Sequence, residues 1–480
     1  YFSGCWYDSA HQKQRLAPFM QQYLIPAEIY GDTPDNLLTY FSYFAQQPWA
    51  MLLDSAAPQH INSRFDIMVA EPLATLTAQL GHCLLTDEHG SHIYHQDPFT
   101  VLNCAIKRYF PQATSSALPF VGGALGYFGY DLGRYTEALP TTAEADIKLP
   151  DMAVGIYHWA LILDKQLKQL WYVDYAGQAE AGWQKLHSRT QQKRPESAPF
   201  SLKANWQANM DKAGYIARFH QVQQYLLSGD CYQINLTQRF SAPYQGDEWQ
   251  AYLQLRDKNA APFSAFIRLP QGAVLSISPE RFLQLHAGLV ETKPIKGTRP
   301  RGLCPMTDAV EADTLRNSAK DRAENVMIVD LLRNDLGKVC TPGSVEVPVL
   351  FAIESFPAVH HLVSTVTGKL SNEYSASDLL RGAFPGGSIT GAPKVRAMEI
   401  IEQLEPQRRS VYCGAIGYIN SSGDMDTNIA IRTLICSEGQ IHCQAGGGIV
   451  ADSEVNSEYQ ETLDKVNKIL PVLAPKAAEH

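Results

Sequence analysis

The sequence predicts an α+β protein in which antiparallel β-sheets are flanked by helices. Of its 480 residues, 45% are apolar and 19% are charged, a composition typical of a globular chain with a buried core. Strand-like runs occur in pairs around polar turns, as antiparallel strands do. Helical segments are interspersed among them without the regular strand–helix–strand alternation of a parallel sheet, which favours α+β over α/β.

The first part of the chain contains short strand-like runs separated by turn residues. Runs at 65–72 and 126–131 are followed by 153–175, where we predict two strands around a polar turn. The stretch 120–134 is rich in glycine, but it has no G-x-G-x-x-G between a strand and a helix. It therefore predicts tight turns and close backbone packing rather than a dinucleotide site.

Residues 188–206 are polar, contain prolines and lack an apolar period, so they predict a linker. This linker separates an N-terminal region, 1–190, from a larger region, 206–474. In the larger region we predict helices at 211–230, 318–337 and 453–473, the first ending near Gly229 and the second at Gly337. We predict strands within 231–240, 272–298, 410–419 and 425–450.

The charge pattern narrows the possible partners. There are 40 basic and 49 acidic residues, giving a net charge of −9, and no basic stripe with interleaved aromatic residues, so no nucleic-acid partner is expected.

The sequence contains no run of about 18 apolar residues, so no membrane span is predicted. The nine cysteines are scattered without a C-x-x-C pair, and no export signal is visible, so we expect a cytoplasmic protein without a disulfide framework.

Residues 291–302, ETKPIKGTRPRG, place three cations near Lys296. A lysine amine attacks carbon only in its uncharged form, and neighbouring positive charges favour that form. Lys293, Arg299 and Arg301 are the available neighbours, which makes Lys296 a candidate nucleophile. The alternative is that these cations bind anions or face water.

Two helices carry carboxylates at matched spacing. Asp321 and Glu324 lie three residues apart in one helix, and Glu458, Glu461 and Lys465 share a face of the last helix. The second set alone is also typical of a solvated salt-bridge face. Two converging helices with such carboxylates would instead hold a hard divalent cation, with Mg²⁺ as the first candidate.

The stretch 445–454, AGGGIVADSE, predicts a glycine-rich turn before the last helix, where backbone N–H groups could receive an anion. It lacks the lysine of a phosphate-binding loop, so a carboxylate is as suitable a ligand as a phosphate. A flexible hairpin exit is the alternative. Arg432 lies inside an otherwise apolar strand pattern, and a buried arginine needs an anionic partner from the protein or a substrate.

Together these features resemble the chorismate-utilising enzymes, and within them the aminodeoxychorismate synthase component I subfamily. The resemblance is dense from residue 229 to the last helix and thinner in the N-terminal region. It implies the anthranilate synthase component I-like fold, with the active site in a central cleft. The motifs that carry it are GDCYQINLTQRF, SPERF, PIKGTRPR, DRAENVMIVDLLRND, VHHLVST, FPGGSITGAPK, YCGAIGY, IAIRTL, GGGIVADS and EYQETLDK, with LLDSA, RFDIMVAEP and GGALGYFGYD near the start.

The resemblance also implies a reaction. Isochorismate and salicylate synthases carry a water-activating lysine at the place of Gln233 and an alanine at the place of Lys296, and this chain reverses both. Lys296 is then expected to attack C2 of chorismate as the C4 hydroxyl leaves. Ammonia attacks C4 and expels the lysine, giving 4-amino-4-deoxychorismate, a p-aminobenzoate and folate precursor. Glu280 is the implied acid/base carboxylate, and His361 is an implied active-site histidine that orients or protonates the same oxygen.

The family's ligand sites fall on further residues of this chain. Mg²⁺ is implied at Glu324 and Glu461, with Glu458 and Asp321 nearby, holding the ring carboxylate of chorismate. The implied substrate-binding residues are Thr390, Tyr412, Arg432, Gly446, Gly448 and Lys465. A tryptophan pocket is implied at Ser55, Arg64, Phe65, Pro262 and Phe263.

Ammonia must be supplied from elsewhere. No cysteine sits in a nucleophile-elbow context such as G-x-C-x-G, so we expect a separate glutamine amidotransferase subunit, with free ammonium as a substitute. Two alternatives stay open. Anthranilate synthase component I is disfavoured by Lys296, because that enzyme has alanine there. A non-catalytic regulatory subunit that binds chorismate or tryptophan is disfavoured by intact Lys296, Glu280, Glu324 and Glu461.

Overall fold

The computed structural model describes residues 20–26, 36–57, 60–114, 116–356 and 359–475. No helix in these ranges is long and apolar enough to cross a membrane. The strands, in chain order, are β1 (Gln21–Leu24), β2 (Met51–Asp54), β3 (Phe65–Val69), β4 (Ala74–Gln79), β5 (His82–Asp87), β6 (Gly90–Tyr94), β7 (Gly123–Phe128), β8 (Met152–Tyr157), β9 (Trp159–Asp164), β10 (Gln169–Asp174), β11 (Ser201–Leu202), β12 (Gln207–Ala208), β13 (Gln233–Gln245), β14 (Phe263–Leu269), β15 (Gly272–Ser278), β16 (Arg281–His286), β17 (Leu289–Thr292), β18 (Ile295–Pro300), β19 (Glu346–Ser355), β20 (Val359–Lys369), β21 (Gly391–Ala392), β22 (Ala415–Asn420), β23 (Met425–Ile429), β24 (Thr433–Ser437) and β25 (Gln440–Ile449). The helices are α1 (Asn36–Phe41), α2 (Pro98–Tyr109), α3 (Gly133–Thr136), α4 (Ala179–Thr190), α5 (Lys212–Leu227), α6 (Glu248–Asn259), α7 (Pro305–Asn317), α8 (Ala319–Gly337), α9 (Ala376–Ala383), α10 (Lys394–Leu404), α11 (Val455–Asp464) and α12 (Leu470–Leu473).

The strands form two antiparallel sheets, which confirms the predicted α+β class. The first, sheet A, runs in the order β1-β10-β9-β3-β2-β14-β15-β24-β25-β13-β11, with β12 and β21 also paired to β13. The second, sheet B, runs β18-β20-β17-β16-β23-β22-β7-β8-β4-β5-β6, with β19 also paired to β20. Each sheet therefore combines strands that are far apart in the sequence.

Both sheets combine strands from before and after the predicted linker at 188–206, a range that itself contains the end of α4 and the short strand β11. In sheet A, β2 pairs with β14, where Leu53 lies opposite Ala265. In sheet B, β7 pairs with β22, where Gly126 lies opposite Gly417. The two sequence regions thus share both sheets.

The sheets pack face to face over an apolar core, and helices cover their outer faces. Met51 and Ile267 of sheet A meet Leu125, Tyr127 and Ile416 of sheet B, and all five are 3% exposed or less. Helices α2, α8 and α9 cover sheet B, while α1, α4 and α6 cover sheet A. Each fully buried apolar side chain of this kind contributes about 1.5–3 kcal/mol, so the core fixes the relative placement of the sheets.

The prediction of two strands in 153–175 was wrong, because the structure contains three. The first run is divided at His158 into β8 of sheet B and β9 of sheet A. Every residue of both strands is buried, so the apolar pattern is continuous and gives no sign of the crossing. The half-buried His158 marks the point where the chain passes from one sheet to the other.

Two further crossings place residues of chemical interest between the sheets. Glu280 lies between β15 of sheet A and β16 of sheet B, and Arg432 lies between β23 of sheet B and β24 of sheet A. The crossings are held together, because the Ile429 N–H donates to the carbonyl of Glu280 at 3.0 Å and the Ile277 N–H to that of Arg432 at 3.1 Å. The two side chains therefore project from neighbouring turns.

Candidate active site

Lys296 and Glu324 form an ion pair between sheet B and helix α8. The Lys296 Nζ lies 2.9 Å from the Glu324 Oε1, and their side chains are 14% and 19% exposed. Helix α8 begins at the Ser318 cap, whose hydroxyl accepts the N–H of Asp321. Ile328, one turn after Glu324 on the same face of α8, packs in the core of sheet B, so this face lies against the sheet and brings Glu324 to β18.

The three cations that lie near Lys296 in the sequence have partners of their own. Each of those cations has a carboxylate of its own within 4 Å, and these pairs lie outside the Lys296–Glu324 contact. They are Lys293 with Glu354 at 3.8 Å, Arg299 with Glu311 at 3.4 Å, and Arg301 with Asp308 at 2.6 Å. The sequence places the cations together, but their partners come from distant segments.

Glu280 is a half-buried carboxyl within the influence of the charges of Lys296, Lys465 and Arg432. Burial raises its pKa to about 7, although the cations Lys296, Lys465 and Arg432 and a hydrogen bond from the Ile295 N–H act in the opposite direction. The side chain keeps a partial exposure to solvent. Near neutral pH this carboxyl is therefore present in both protonation states, which suits a group that donates a proton.

Arg432 reaches the same place from its own crossing. The prediction that it lies inside a strand was wrong: it occupies a bend with φ of +49°, and its side chain is exposed in a recess. Enclosure by the protein lowers its pKa, and the charge of Glu280 partly restores it. Among the described residues no carboxylate lies within 4 Å of Arg432, so its guanidinium is available to an anionic ligand.

His361 on β20 is neutral and oriented by its neighbours. Burial, with the nearby charge of Arg432, lowers its pKa to about 4. Thr298 Oγ1 lies 2.9 Å from the His361 Nδ1, and the ring also forms a hydrogen bond with the Gly297 backbone. His361 therefore lies beside the strand that carries Lys296.

Two of the predicted metal-binding carboxylates meet on α11. Gly447 lies between them, since a Cβ there would approach Glu458 Oε2 at 3.1 Å and Glu461 Oε1 at 3.2 Å. Glu458 accepts a hydrogen bond from Ser453 at 2.7 Å through Oε1, while its buried Oε2 has no partner. Burial raises the pKa of Glu458. Glu461 pairs with Lys465 at 2.6 Å, and that pair is partly solvated.

The helix α8 approaches the same carboxylates. Lys320, one turn before Glu324, is close enough to influence the charge of Glu458. Asp321 lies against Gly297 of β18, where a Cβ would approach its carboxyl carbon at 2.9 Å. Among the described residues, no group of three or more acidic, histidine or cysteine side chains is already arranged to hold a metal ion. The arrangement is a pair of carboxylates, with Glu324 held by Lys296.

The expected glycine turn before the last helix was wrong, because Gly446 and Gly448 lie within β25. They pair with Thr237 and Asn235 of β13, whereas the pairing with β24 ends at Cys443. Within the described part of the sheet, the residues of β25 after Cys443 therefore have no paired strand on the side of β24. The missing side chains allow close approach here, and the Lys465 Nζ donates to the carbonyl of Gly446 at 2.7 Å.

Gln233 packs against the same strand. Its side chain is fully buried, neither amide atom has a hydrogen-bond partner, and a Cβ on Gly448 would meet its Nε2 at 2.6 Å. Thr390 is also fully buried, and its hydroxyl donates to the carbonyl of Gly386 at 3.0 Å. Both residues lie where β13 meets β21, since the Asn235 N–H donates to the Thr390 carbonyl at 2.8 Å.

The turn that carries Tyr412 rests on a buried ion pair. Arg409 is 1% exposed and pairs with Glu405 at 2.7 Å, while its other N–H groups donate to the carbonyls of Ile389 and Asn235. Burial raises the pKa of Tyr412 well above its usual range. The next residue, Cys413, donates its N–H to the carbonyl of Ala430 at 2.9 Å, so the Tyr412 turn adjoins the Arg432 crossing.

All five residues predicted for the tryptophan pocket line one cavity of about 630 Å³, which lies between the sheets at their edge: Ser55, Arg64, Phe65, Pro262 and Phe263. Arg64 lies 4.5 Å from the ring centre of Phe65 and pairs with Asp164 at 2.8 Å. Arg281 lines the same cavity and lies over Phe263 at 5.1 Å. The cavity is thus both aromatic and charged.

The structure adds residues that the sequence analysis did not select. Thr298 holds His361, and Ser453 holds Glu458. Thr298 follows Lys296 by two residues on a strand, so the two-residue period could have suggested a shared face. His60 and Phe356 lie between the cavity and His361, and no local pattern brings them together.

Known proteins resemble most of the chain. A sequence profile for the family described as chorismate binding enzyme matches residues 29–471. The chain is 56% identical over 439 residues to aminodeoxychorismate synthase component 1 of Klebsiella aerogenes, covering 91% of this chain and 96% of that protein. It is 56% identical over 435 residues to the protein of the same name from Escherichia coli K12, covering 90% and 95%. The solved structure of anthranilate synthase component I from Streptococcus pneumoniae TIGR4 matches with a TM-score of 0.76 and 30% identity, covering 86% of this chain and 93% of that one. This similarity confirms the expected fold.

Proposed function

The chain belongs to the chorismate binding enzyme family, and from this premise we propose that it aminates chorismate at C4, giving 4-amino-4-deoxychorismate. The relatives named aminodeoxychorismate synthase component 1 support chorismate amination. The observation that carries the proposal is the placement of the Lys296 amine beside Glu324 and within the charge field of Glu280.

The reaction divides one difficult substitution into two steps. Lys296 Nζ, uncharged, forms a bond to C2, both ring double bonds shift, and the C4–O bond breaks. Ammonia then bonds to C4, both double bonds shift back, and the C2–N bond to Lys296 breaks. Glu324 Oε1, at 2.9 Å, is in place to take the proton that Lys296 must lose.

Glu280 supplies the proton that the departing C4 hydroxyl needs to leave as water. Its raised pKa, about 7, keeps part of the carboxyl protonated at neutral pH. His361 has a pKa lowered to about 4, so its neutral ring orients the same oxygen through a hydrogen bond rather than through charge. Thr298 fixes the ring for that role.

We propose that Mg²⁺ would be held by Glu458 and Glu461, and by Glu324 while its carboxylate is ionised. The unpartnered, buried Oε2 of Glu458 fits a cation, and Mg²⁺ commonly uses one or two carboxylates together with water and substrate oxygens. When bound, the metal supplies positive charge for the ring carboxylate of chorismate. Asp321, on α8, would orient water around the ion.

The second substrate carboxylate, on the enolpyruvyl group, is proposed to bind Arg432 and Tyr412. Arg432 has no carboxylate partner within 4 Å among the described residues, and an arginine binds a carboxylate through two parallel hydrogen bonds. The open edge of β25 at Gly446 and Gly448 offers backbone N–H groups to the ring carboxylate, beside Lys465. Thr390 would line the floor of the cleft.

A partner component is implied by the relatives' name, component 1. We propose that the partner is a glutamine amidotransferase that delivers ammonia, and that free ammonium at high concentration replaces it. The cavity lined by Phe65 and Phe263 is proposed to take tryptophan, whose indole would pack on these rings while its charged ends meet the polar wall.

Mass spectrometry of the protein incubated with chorismate and Mg²⁺, without ammonia, tests the lysine adduct. The native chain is expected to gain a covalent adduct, and Lys296→Ala is expected to gain none. Arg299→Ala is the matched control, because it removes a cation of the same strand that pairs with Glu311 instead. Equal adducts on the native chain and on Lys296→Ala would exclude Lys296 as the nucleophile.

Product analysis with ammonium separates this proposal from its alternatives. A product with the amine at C2 and loss of pyruvate would indicate anthranilate synthesis, the activity named for the structure that is 30% identical. Binding of chorismate without any turnover would indicate a regulatory subunit. The proposal requires an amine at C4 with the enolpyruvyl group retained.

A further inference from the structure

A row of four aromatic rings begins at the cavity and ends with the active-site histidine itself. Phe263 lines the cavity, and the ring of His60 meets it edge-on, with 6.3 Å between centres. His60 stacks on Phe356 with 4.7 Å between centres and 4° between planes. Phe356 in turn packs against His361 at 5.4 Å and 54°. The row Phe263–His60–Phe356–His361 therefore spans from one site to the other.

Backbone hydrogen bonds hold the central rings in place. The Phe356 carbonyl accepts a hydrogen bond from Arg301 at 2.8 Å, and the Phe356 N–H donates to the carbonyl of Val359 at 2.8 Å. Arg301 is itself fixed by two hydrogen bonds to Asp308, which also contacts His360. The segment that follows Lys296 in sequence thus anchors the ring that touches His361.

His60 is anchored from the other side. Its Nδ1 accepts the N–H of Asn62 at 3.1 Å, and the Asn62 side-chain oxygen accepts a hydrogen bond from Arg281 at 3.2 Å. Arg281 follows Glu280 directly and also lies over Phe263. Burial and the charges of Arg281 and Lys293 lower the pKa of His60 to about 4, so its ring is neutral and can stack on Phe356 as an aromatic ring does.

We propose that His60 and Phe356 are positioning residues, which hold the His361 ring against the Thr298 hydroxyl from the wall of the cavity. Phe356 contacts the His361 ring and His60 contacts Phe356, so each acts through His361. The proposal rests on the proposed function for the role of His361, but the position of its ring is measurable without turnover. One consequence is that the side of the cavity formed by Phe263 is continuous with the active site.

A pair of substitutions at His60 separates the ring from its hydrogen bond. Both His60→Leu and His60→Phe lose the bond to the Asn62 N–H, but only His60→Phe keeps a planar ring for Phe356. An aromatic pair contributes enough to change a rate by about 2- to 10-fold. We expect His60→Leu to lower kcat by about that factor, with the KM for chorismate unchanged, and His60→Phe to restore kcat to near the native value.

Histidine-selective NMR of the substrate-free protein gives the second readout. The His361 ring signal of the native chain and of His60→Phe should coincide, and that of His60→Leu should move, because Phe356 is no longer held over the ring. Equal loss of kcat in both variants would assign the effect to the hydrogen bond and overturn the proposal. An unmoved His361 signal in His60→Leu would also overturn it. Absence of an amine product from the native chain would refute the proposed function alone, since the NMR result does not depend on it.

Discussion

The raised pKa of Glu280 predicts a stability cost that depends on pH. The carboxyl has an ordinary pKa of 4.5 and a folded-state pKa of about 7, so the difference is about 2.5. At about 1.36 kcal/mol per pH unit, ionisation in the folded state costs at most about 3.4 kcal/mol. Because the side chain keeps some contact with solvent, we expect about 1–3 kcal/mol.

The sign follows from the direction of the shift. A carboxyl whose pKa is raised in the folded state makes its full contribution to the stability of the protein while it is protonated, below pH 4.5. This contribution is lost as the pH rises through about 7, because the unfolded chain releases the proton more readily. Glu280→Gln has the shape of the protonated acid and does not ionise. It should therefore match the native chain near pH 5 and be more stable by about 1–3 kcal/mol near pH 8.

Urea unfolding at pH 5 and pH 8, followed by fluorescence, measures this difference. The assay compares the native chain with Glu280→Gln and with Glu373→Gln, a substitution of an exposed glutamate that should behave alike at both pH values. We expect Glu280→Gln to raise the free energy of unfolding at pH 8 and to leave it unchanged at pH 5. An equal effect of Glu280→Gln at pH 5 and pH 8 would refute the assignment of a raised pKa to this carboxyl.

Three further predictions concern the groups around Glu280. Arg432→Gln should raise the KM for chorismate by about 10- to 100-fold, since it removes a charged hydrogen-bond donor, with a smaller effect on kcat in steady-state assays. Glu458→Gln should weaken Mg²⁺ binding by at least about tenfold in calorimetry, and an unchanged affinity would exclude Glu458 as a ligand. Arg409→Met should cost about 3–5 kcal/mol in urea unfolding, because it leaves Glu405 buried without its partner. The double variant with Glu405→Gln should recover part of that loss, and no recovery would contradict the ion-pair explanation.

Local sequence patterns predict the elements of the larger region well. The apolar stripe and Gly337 predict the helix that the structure places at Ala319–Gly337, and the run at 231–240 overlaps the strand Gln233–Gln245. These patterns succeed because helix and strand periods depend on neighbouring residues. The crossing at His158 was missed because both flanking strands are buried on both faces, so their pattern contains no alternation to interrupt.

The partners of the charged groups could not be predicted from such patterns. Lys296 and Glu324 are separated by 28 positions, and nothing in either segment indicates which carboxylate the lysine meets. The cations near Lys296 form one cluster in the sequence, but in the structure they pair with separate carboxylates of α7 and β19. Only the match to the family's motifs predicts that Glu280, Arg432 and Lys465 belong to one site.

The two sheet crossings explain why acid and cation lie side by side in the site. The backbone of a residue within a strand forms hydrogen bonds with the neighbouring strands. A residue between two sheets lies outside the regular hydrogen-bond pattern of both. Glu280 and Arg432 each occupy such a position, and hydrogen bonds between the two crossings fix their separation. A core packed on both sides then resists any shift of these turns. The framework can therefore hold a carboxyl with a raised pKa close to Arg432, which has no carboxylate within 4 Å in the described chain. This arrangement costs stability and is useful only when an anionic ligand binds.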